Sequence, residues 1–329
     1  MFDVIAIGSA VYDGFMEVDL KEIKDKNTAS GKSLRLPLGE KISGKSVSFE
    51  IGGNAVNAAV TFSRQGYRAG ICARIGRDIR GEEIRRRLIE EKIKFDFMEI
   101  DPRLRTSFSA IFLSRGERTI INFPGSGNDL SLAGILEAKP RTKWFYVSLP
   151  GDSYKALPGI VSLAKEQSAK IAFNPTARHI QNSKQAILKL LPKIDFLVLN
   201  ETEASMLTGI DFKDPEKAFK KLDKAMPGIL AVTYGTKGAA VSDGRFVYRT
   251  GIFKNKKTVD RTGAGDAFGS GFISGLMRGD IELAIRLGLA NAASVVEAVG
   301  ANKNSLTRGD FEKSSRWSEV SIKTKKINP

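Results

Sequence analysis

The sequence predicts an α/β domain: a mainly parallel sheet with helices on both faces, flanked by a small sheet without helices of its own. Three observations carry this. Strand-like and helix-like segments alternate regularly after residue 140, which implies parallel strands joined by crossover helices. Two stretches, near 14–51 and 106–123, alternate apolar and polar residues and have no helical partners, so they can pair into a separate small sheet. The length of 329 residues suits one large α/β domain or two ordinary ones.

Taken in order, FDVIAIG (2–8) reads as a buried strand. Residues 15–51 are polar and interrupted, with alternating pieces SLRLPL and SVSFEI, and NAVNAAVTFSR (54–64) turns helical. GICARIG (70–76) is strand-like, and GEEIRRRLIEEK (81–92) is an amphipathic helix. SFSAIFL and RTIINF (107–123) form a hairpin with its turn at Arg115–Glu117. The strand WFYVSL (144–149) then precedes a helix near 153–167, and KIAFN (170–174) a helix near 183–191. DFLVLN (195–200) precedes helices near 201–208 and 214–225, and GILAVT (228–233) leads into a hairpin near 238–250. Long helices come next, near 264–278 and 280–298, and the tail from Ser314 is polar, basic and expected to be loose.

Hydrophobic residues make up 42% and charged residues 27% of the chain, a globular balance. The lone cysteine, Cys72, allows no intrachain disulfide and suits a reducing, cytoplasmic setting. The apolar run in MFDVIAIGS is too short for a signal segment or a membrane span. The formal net charge of +15 fits either a polyanion partner or a basic surface with a site for an anionic small molecule. The charges are spread, with local runs only at Arg85–Arg87 and Lys323–Lys326, and no nucleic-acid motif accompanies them. The second reading is preferred.

GEKISGKS (39–46) matches the phosphate-loop pattern G-x-x-x-x-G-K-[ST]. That motif needs a helix directly after the loop, but the next residues are the strand-like VSFEI. The stretch is therefore expected to be a turn between two strands. His179, the only histidine, has no nucleophile motif beside it and is expected on a surface loop. No Cys/His cluster suggests zinc.

Five stretches can carry chemistry. In VDRTGAGDAF, Gly263, Ala264 and Gly265 precede an apolar helix, so free N–H groups and the helix dipole can cradle an oxyanion or phosphate. Asp266 at its mouth is either a helix cap or a general base. In GGNAVN, Gly52 and Gly53 start a helix bearing Asn54 and Asn57, whose amides can bond sugar hydroxyls or simply cap it. In LNETE, Asn200 and Glu203 come after a buried strand, where open α/β sheets bind ligands. Glu203 can meet Mg2+ through water or serve the helix dipole. Gly235 and Gly238 in TYGTKG can skirt a nucleotide or enter a hairpin, and Asp13 in IGSAVYD can bind paired hydroxyls or be a loop carboxylate.

In this order the five stretches resemble the ribokinase-like (PfkB-type) family of carbohydrate and nucleoside kinases, from about Val4 to Leu306. The resemblance implies a three-layer α/β/α sandwich with a small β-sheet lid. It implies a kinase domain at 1–313 with lid segments at about 14–51 and 106–123, and a basic, flexible tail at 314–329. It further implies an ATP-dependent kinase acting on a primary hydroxyl of a sugar or nucleoside. Asp266 would be the general base, with Gly263, Ala264 and Gly265 as anion hole. Asn200 and Glu203 would organise Mg2+ and phosphates, Gly235 and Gly238 would border ATP, and Asn291 would lie near the adenine. Asp13, Gly52, Gly53 and Asn57 would hold the acceptor. Asp260, with backbone near Gly300, would belong to a K+ or other monovalent-cation loop. A homodimer through the lid, no membrane and no specific nucleic acid are also expected.

Two positions depart from the pattern, and one segment bears on the substrate. Arg261 stands where many members have Thr or Pro, Asn54 where ribokinases usually carry Lys, and SVVEAVGANKN (294–304) looks more like nucleoside-accepting members. A sugar phosphate is less favoured, with Arg105 its one candidate contact. The competing hypothesis is a non-catalytic nucleic-acid-binding or regulatory protein on the same fold.

Overall fold

In a computed structural model of the protein, residues 1–26, 31–114, 117–254 and 257–327 are described. Nine strands form one sheet. From edge to edge they run Ile322–Lys326, Phe246–Thr250, Ala239–Ser242, Ile229–Thr233, Phe196–Asn200, Lys170–Phe173, Thr142–Ser148, Phe2–Gly8, Ala69–Cys72. The six strands from Ile229–Thr233 to Ala69–Cys72 are parallel, and the other three add antiparallel. Alternation along the first strand shows how the sheet is buried on both sides. Val4 and Ala6 point into one apolar layer with the helices Asn54–Arg64, Ala264–Leu276 and Ile281–Val295. Ile5 and Ile7 point into the other, with Leu157–Glu166, Ala177–Leu190 and Pro215–Ala225.

The expected small sheet is present. Its order is Glu117–Phe123, Phe108–Ser114, Val11–Val18, Gly44–Gly52. The register sets its faces. Tyr12, Gly14 and Met16 pair with Ile51, Phe49 and Val47 on one face; Asp13 pairs with Glu50 and Ser109 on the other. The second face looks toward the main body, where Glu50 sits against Gly300 and pairs with Lys303. The first face leaves Val47, Phe49, Ile121 and Phe123 exposed. The hairpin 107–123 pairs as expected, though residues 115 and 116 of its turn lie outside the described residues.

Several expectations change. The tail is not loose: Ser315–Trp317 forms a 3-10 turn, and Ile322–Lys326 is the edge strand of the main sheet. Trp317 is buried edge-on against Phe253 at 5.2 Å. KTKK reads as solvated because lysines are the usual dressing of an edge strand. His179 is not on a surface loop. The helix begins at Ala177, capped by Thr176, and His179 is buried within it between Phe173 and Tyr154. Burial lowers its pKa to about 4, so it is a neutral core residue at neutral pH. The segment 70–76 is two strands: after Cys72 the chain leaves the main sheet, and Arg74–Gly76 pairs with Glu99–Asp101.

GEKISGKS leads from the strand Lys32–Arg35 into the strand Gly44–Gly52, which pair with different partners, and its end from Gly44 on already belongs to the second. No helix comes directly after it. Lys45 already belongs to the second strand and meets Asp19 at 3.4 Å. The phosphate-loop reading therefore fails on its own structural condition.

Candidate active site

Asp266 is the centre of the site. The helix Ala264–Leu276 is capped by Gly263 backbone, not by a side chain, so Asp266 is not a cap. It sits in the first turn, buried, and receives an amide N–H on each oxygen: Asn57 Nδ2 on Oδ2 at 2.9 Å and Asn174 Nδ2 on Oδ1 at 3.2 Å. Asn57 is itself oriented, because its Oδ1 accepts from Asn302 Nδ2 at 2.8 Å. Burial raises the Asp266 pKa to about 7, and the Asn57 bond only partly opposes this. A carboxylate held in that way can exchange a proton near neutral pH.

The backbone before Asp266 is shaped for a close approach. Gly263 has φ +76°, and a Cβ there would stand 2.5 Å from the Ala301 carbonyl oxygen, so only glycine fits. A Cβ on Gly265 would meet nothing within 4 Å and would project into open space. The first-turn N–H groups have no intrahelical acceptors. Ala264 and Gly265 line two adjoining cavities together with Arg261.

The smaller cavity, about 230 Å³, also holds Asn174, Asn200, Glu203 and Asp266. Asn200 and Glu203 form a reciprocal capping box at the start of Glu201–Thr208, each bond 2.9 Å. Burial raises the Glu203 pKa to about 7, and the charge of Asp266 pushes the same way. The dipole reading of Glu203 is thus correct locally, yet the carboxylate still lines the cavity. The larger cavity, about 460 Å³, is lined by Gly235, Gly238, Thr236, Phe253 and Val296 among others. Gly238 has φ +91° and a Cβ there would strike the Thr250 carbonyl oxygen.

Asp13 is in a lid strand and not in a loop; burial raises its pKa to about 6, and its neighbours are Gly52 and Ser109. Gly53, φ +96°, starts the Asn54–Arg64 helix against the Ser9 carbonyl. Asn54 is held between Ser9 and Ser148. Asp260 is buried; its Oδ1 accepts from Thr262 N at 2.9 Å, Thr262 Oγ1 at 2.6 Å and Arg118 Nη1 at 3.3 Å, and its Oδ2 accepts from Gly300 N at 3.3 Å. Asn291 does not join the site. It is fully buried between helices, donating to Thr61 Oγ1 and the Ala267 carbonyl and accepting from Leu306 N. An amide on the buried side of this helix satisfies those groups.

A family profile described as pfkB family carbohydrate kinase matches residues 9–308. The chain belongs to the pfkB family of carbohydrate kinases. As a pfkB-family member it is a phosphotransferase with an alcohol acceptor, a sugar or nucleoside kinase of the ribokinase group. It is 28% identical to the ribokinase of Haemophilus influenzae, over 82% of this chain and 89% of that one. It is 27% identical to the cytidine kinase of Thermococcus kodakarensis, over 76% and 88%. The fold superposes on Arabidopsis thaliana ribokinase, a structure with ribose and ATP, with a TM-score of 0.78, 24% identity, and 97% and 99% coverage. No described helix of this pfkB kinase is long and apolar enough to cross a membrane.

Three residues of the site escape a reading of sequence motifs: Asn174, Asn302 and Arg118. Asn174 ends the strand segment KIAFN, so its position at a strand C-terminal end was an available signal. Asn302 and Arg118 reach the site only through tertiary contacts.

Proposed function

We propose that this kinase transfers the γ-phosphoryl group of ATP to a primary hydroxyl of a free sugar or a nucleoside, with Asp266 as general base. The observation that carries the reading is the Asp266 carboxylate: buried, held by Asn57 and Asn174, raised to about 7, and set in the first turn of a glycine-started helix. Asp266 takes the hydroxyl proton as the oxygen attacks the γ-phosphorus and ADP departs. The N–H groups of Gly263, Ala264 and Gly265 face the charge that builds on the phosphoryl oxygens. ATP lies along Gly235 and Gly238, with Arg261 between the two cavities and available to the phosphates. The acceptor lies under the lid against Asp13, Gly52, Gly53 and Asn57.

Among the described residues no cluster of three or more metal-ligating side chains exists. That fits magnesium held mainly by phosphates and water, with Glu203, and Asn200 through its hold on Glu203, as the protein's contribution. When bound, Mg2+ would neutralise phosphate charge. Phosphoryl transfer asks for alignment and charge neutralisation, and both are served by a lid that excludes water. The exposed Val47, Phe49, Ile121 and Phe123 on the outer lid face favour a homodimer through the lid. The cytoplasm, with its ATP and reducing potential, suits the buried Cys72 thiol.

The test is ADP release from MgATP against ribose, fructose, 2-keto-3-deoxygluconate, fructose 6-phosphate, adenosine, inosine and cytidine, with Asp266→Asn as control. A turnover that persists undiminished in the variant would sink the mechanism. Salt-sensitive nucleic-acid binding without turnover would favour the non-catalytic alternative.

A further inference from the structure

We infer that Arg118, on the lid hairpin, takes the place of a monovalent cation at Asp260, so that this enzyme needs no K+. The ribokinase-like pattern puts a cation loop at Asp260 and Gly300. The residues present do not fit one. A carboxylate oxygen has two lone pairs, and three donors already reach Asp260 Oδ1, namely Thr262 N, Thr262 Oγ1 and Arg118 Nη1, while Gly300 N reaches Oδ2. One of those donors carries the positive charge. Gly300 turns an N–H toward the site, which a cation cannot use. An added ion would also stand beside the Arg118 guanidinium, a like charge.

The geometry gives Arg118 a reach that a free ion lacks. Asp260 is 1% exposed at its side chain and Arg118 32%, and among the described residues Arg118 is the one cation paired with this carboxylate. Asp260 in turn holds Thr262, the residue before Gly263, and Gly300, the residue before Ala301 that packs on Gly263. Arg118 therefore braces the anion-hole loop from the lid: the loop is set when the hairpin lies over it. Arg118 is a positioning residue, acting through Asp260. The Asp13 carboxyl also feels the Asp260 charge, and among the described residues no second guanidinium hydrogen-bonds Asp260.

The test has two arms, and the first needs no substrate. Melting temperatures of the ligand-free wild type and Arg118→Ala are measured in 150 mM KCl and in 150 mM tetramethylammonium chloride. The wild type should melt alike in both salts. Arg118→Ala should melt lower in tetramethylammonium and recover by several degrees in K+, because a buried carboxylate left without a partner accepts any cation that fits. In the second arm, which rests on the proposed phosphotransfer, wild-type turnover should change less than about twofold between the salts, while that of Arg118→Ala should fall at least tenfold and be restored by K+. A K+-specific rise in the wild-type melting temperature or turnover overturns the inference. So does an Arg118→Ala protein whose melting temperature and turnover ignore K+. An inactive wild type would count against the phosphotransfer reading alone and leave the melting arm decisive.

Discussion

Replacing Asp266 by Asn should make the protein more stable and less active, and the stability gain should grow with pH. Burial holds the folded-state pKa of Asp266 at about 7 against an ordinary 3.8. The folded state therefore binds more protons than the unfolded state between pH 4 and 7. Stability is lost as pH rises through that window, and the loss is complete above the folded pKa. From pH 5 to pH 8 the ionisation of this one group costs roughly 2–3 kcal/mol. Asn carries no such cost. It does turn one N–H toward an amide donor, and the partner that can yield is Asn174. Asn57 is locked because its Oδ1 accepts from Asn302, whereas among the described residues the Asn174 side chain otherwise bonds the Tyr146 hydroxyl at 3.4 Å, which can donate as well as accept. An Asn174 flip thus restores the network. Urea titrations of both proteins at pH 5 and pH 8 should give a difference in favour of Asp266→Asn that widens by about 2 kcal/mol. Turnover should fall by about 10²–10⁴-fold, and wild-type turnover should rise with pH through about 7. An Asp266→Asn protein with the wild-type pH slope of stability would refute the reasoning, whatever its activity.

Three other substitutions separate the parts of the site from their surroundings. Gly265→Ala places a Cβ in open space, so stability should hold or rise by up to about 1 kcal/mol while turnover drops at least tenfold; equal turnover in a steady-state assay would remove the close phosphate approach from the account. Lys45→Ala, which removes an exposed ion pair with Asp19, should change stability by less than about 0.5 kcal/mol and leave the KM for ATP as it was; a lost ATP response would revive the phosphate loop. Trp317→Ala should cost about 3 kcal/mol in urea unfolding, and a neutral result would mean that the edge strand Ile322–Lys326 is not anchored through that ring.

The fold was legible where local pattern and tertiary role agree. The GAGD stretch, the alternating strands and helices and the two helix-poor segments are such places, because glycine demand, period and burial all write themselves into adjacent residues. Other features depend on partners far away in the chain. His179 looks like a lone polar residue and is in fact core, because Phe173 and Tyr154 close over it. The tail looks solvated because its strand contributes backbone to a sheet edge and few side chains to the interior. Asn291 sits on the helix that borders the larger cavity, but one position of helical rotation turns it to the Thr61 side, away from the cavity lined by Ala292 and Ala293. The match at GEKISGKS shows the converse: a pattern of residue types has no meaning for phosphate until a helix N-terminus stands behind it.

The arrangement of charge gives these parts a common logic. The chain as a whole carries +15, yet the cleft gathers Asp13, Asp260, Asp266 and Glu203, all of them buried or lining a cavity. Of these four, Asp260 has a full positive partner, and that partner comes from the lid. Asp13, Asp266 and Glu203 are left with raised pKa values of about 6, 7 and 7, so the free site is under electrostatic stress at neutral pH. Each of the three faces a place where, on the proposed reading, a ligand would relieve it: acceptor hydroxyls at Asp13 and Asp266, and magnesium with phosphates near Glu203. On the same reading, the basic exterior would draw an anionic nucleotide toward the protein, and the carboxylates inside would favour its arriving with a cation. On the inference above, Arg118 would reduce this dependence at a single point, where a guanidinium fixed to a lid strand stands in for a monovalent ion.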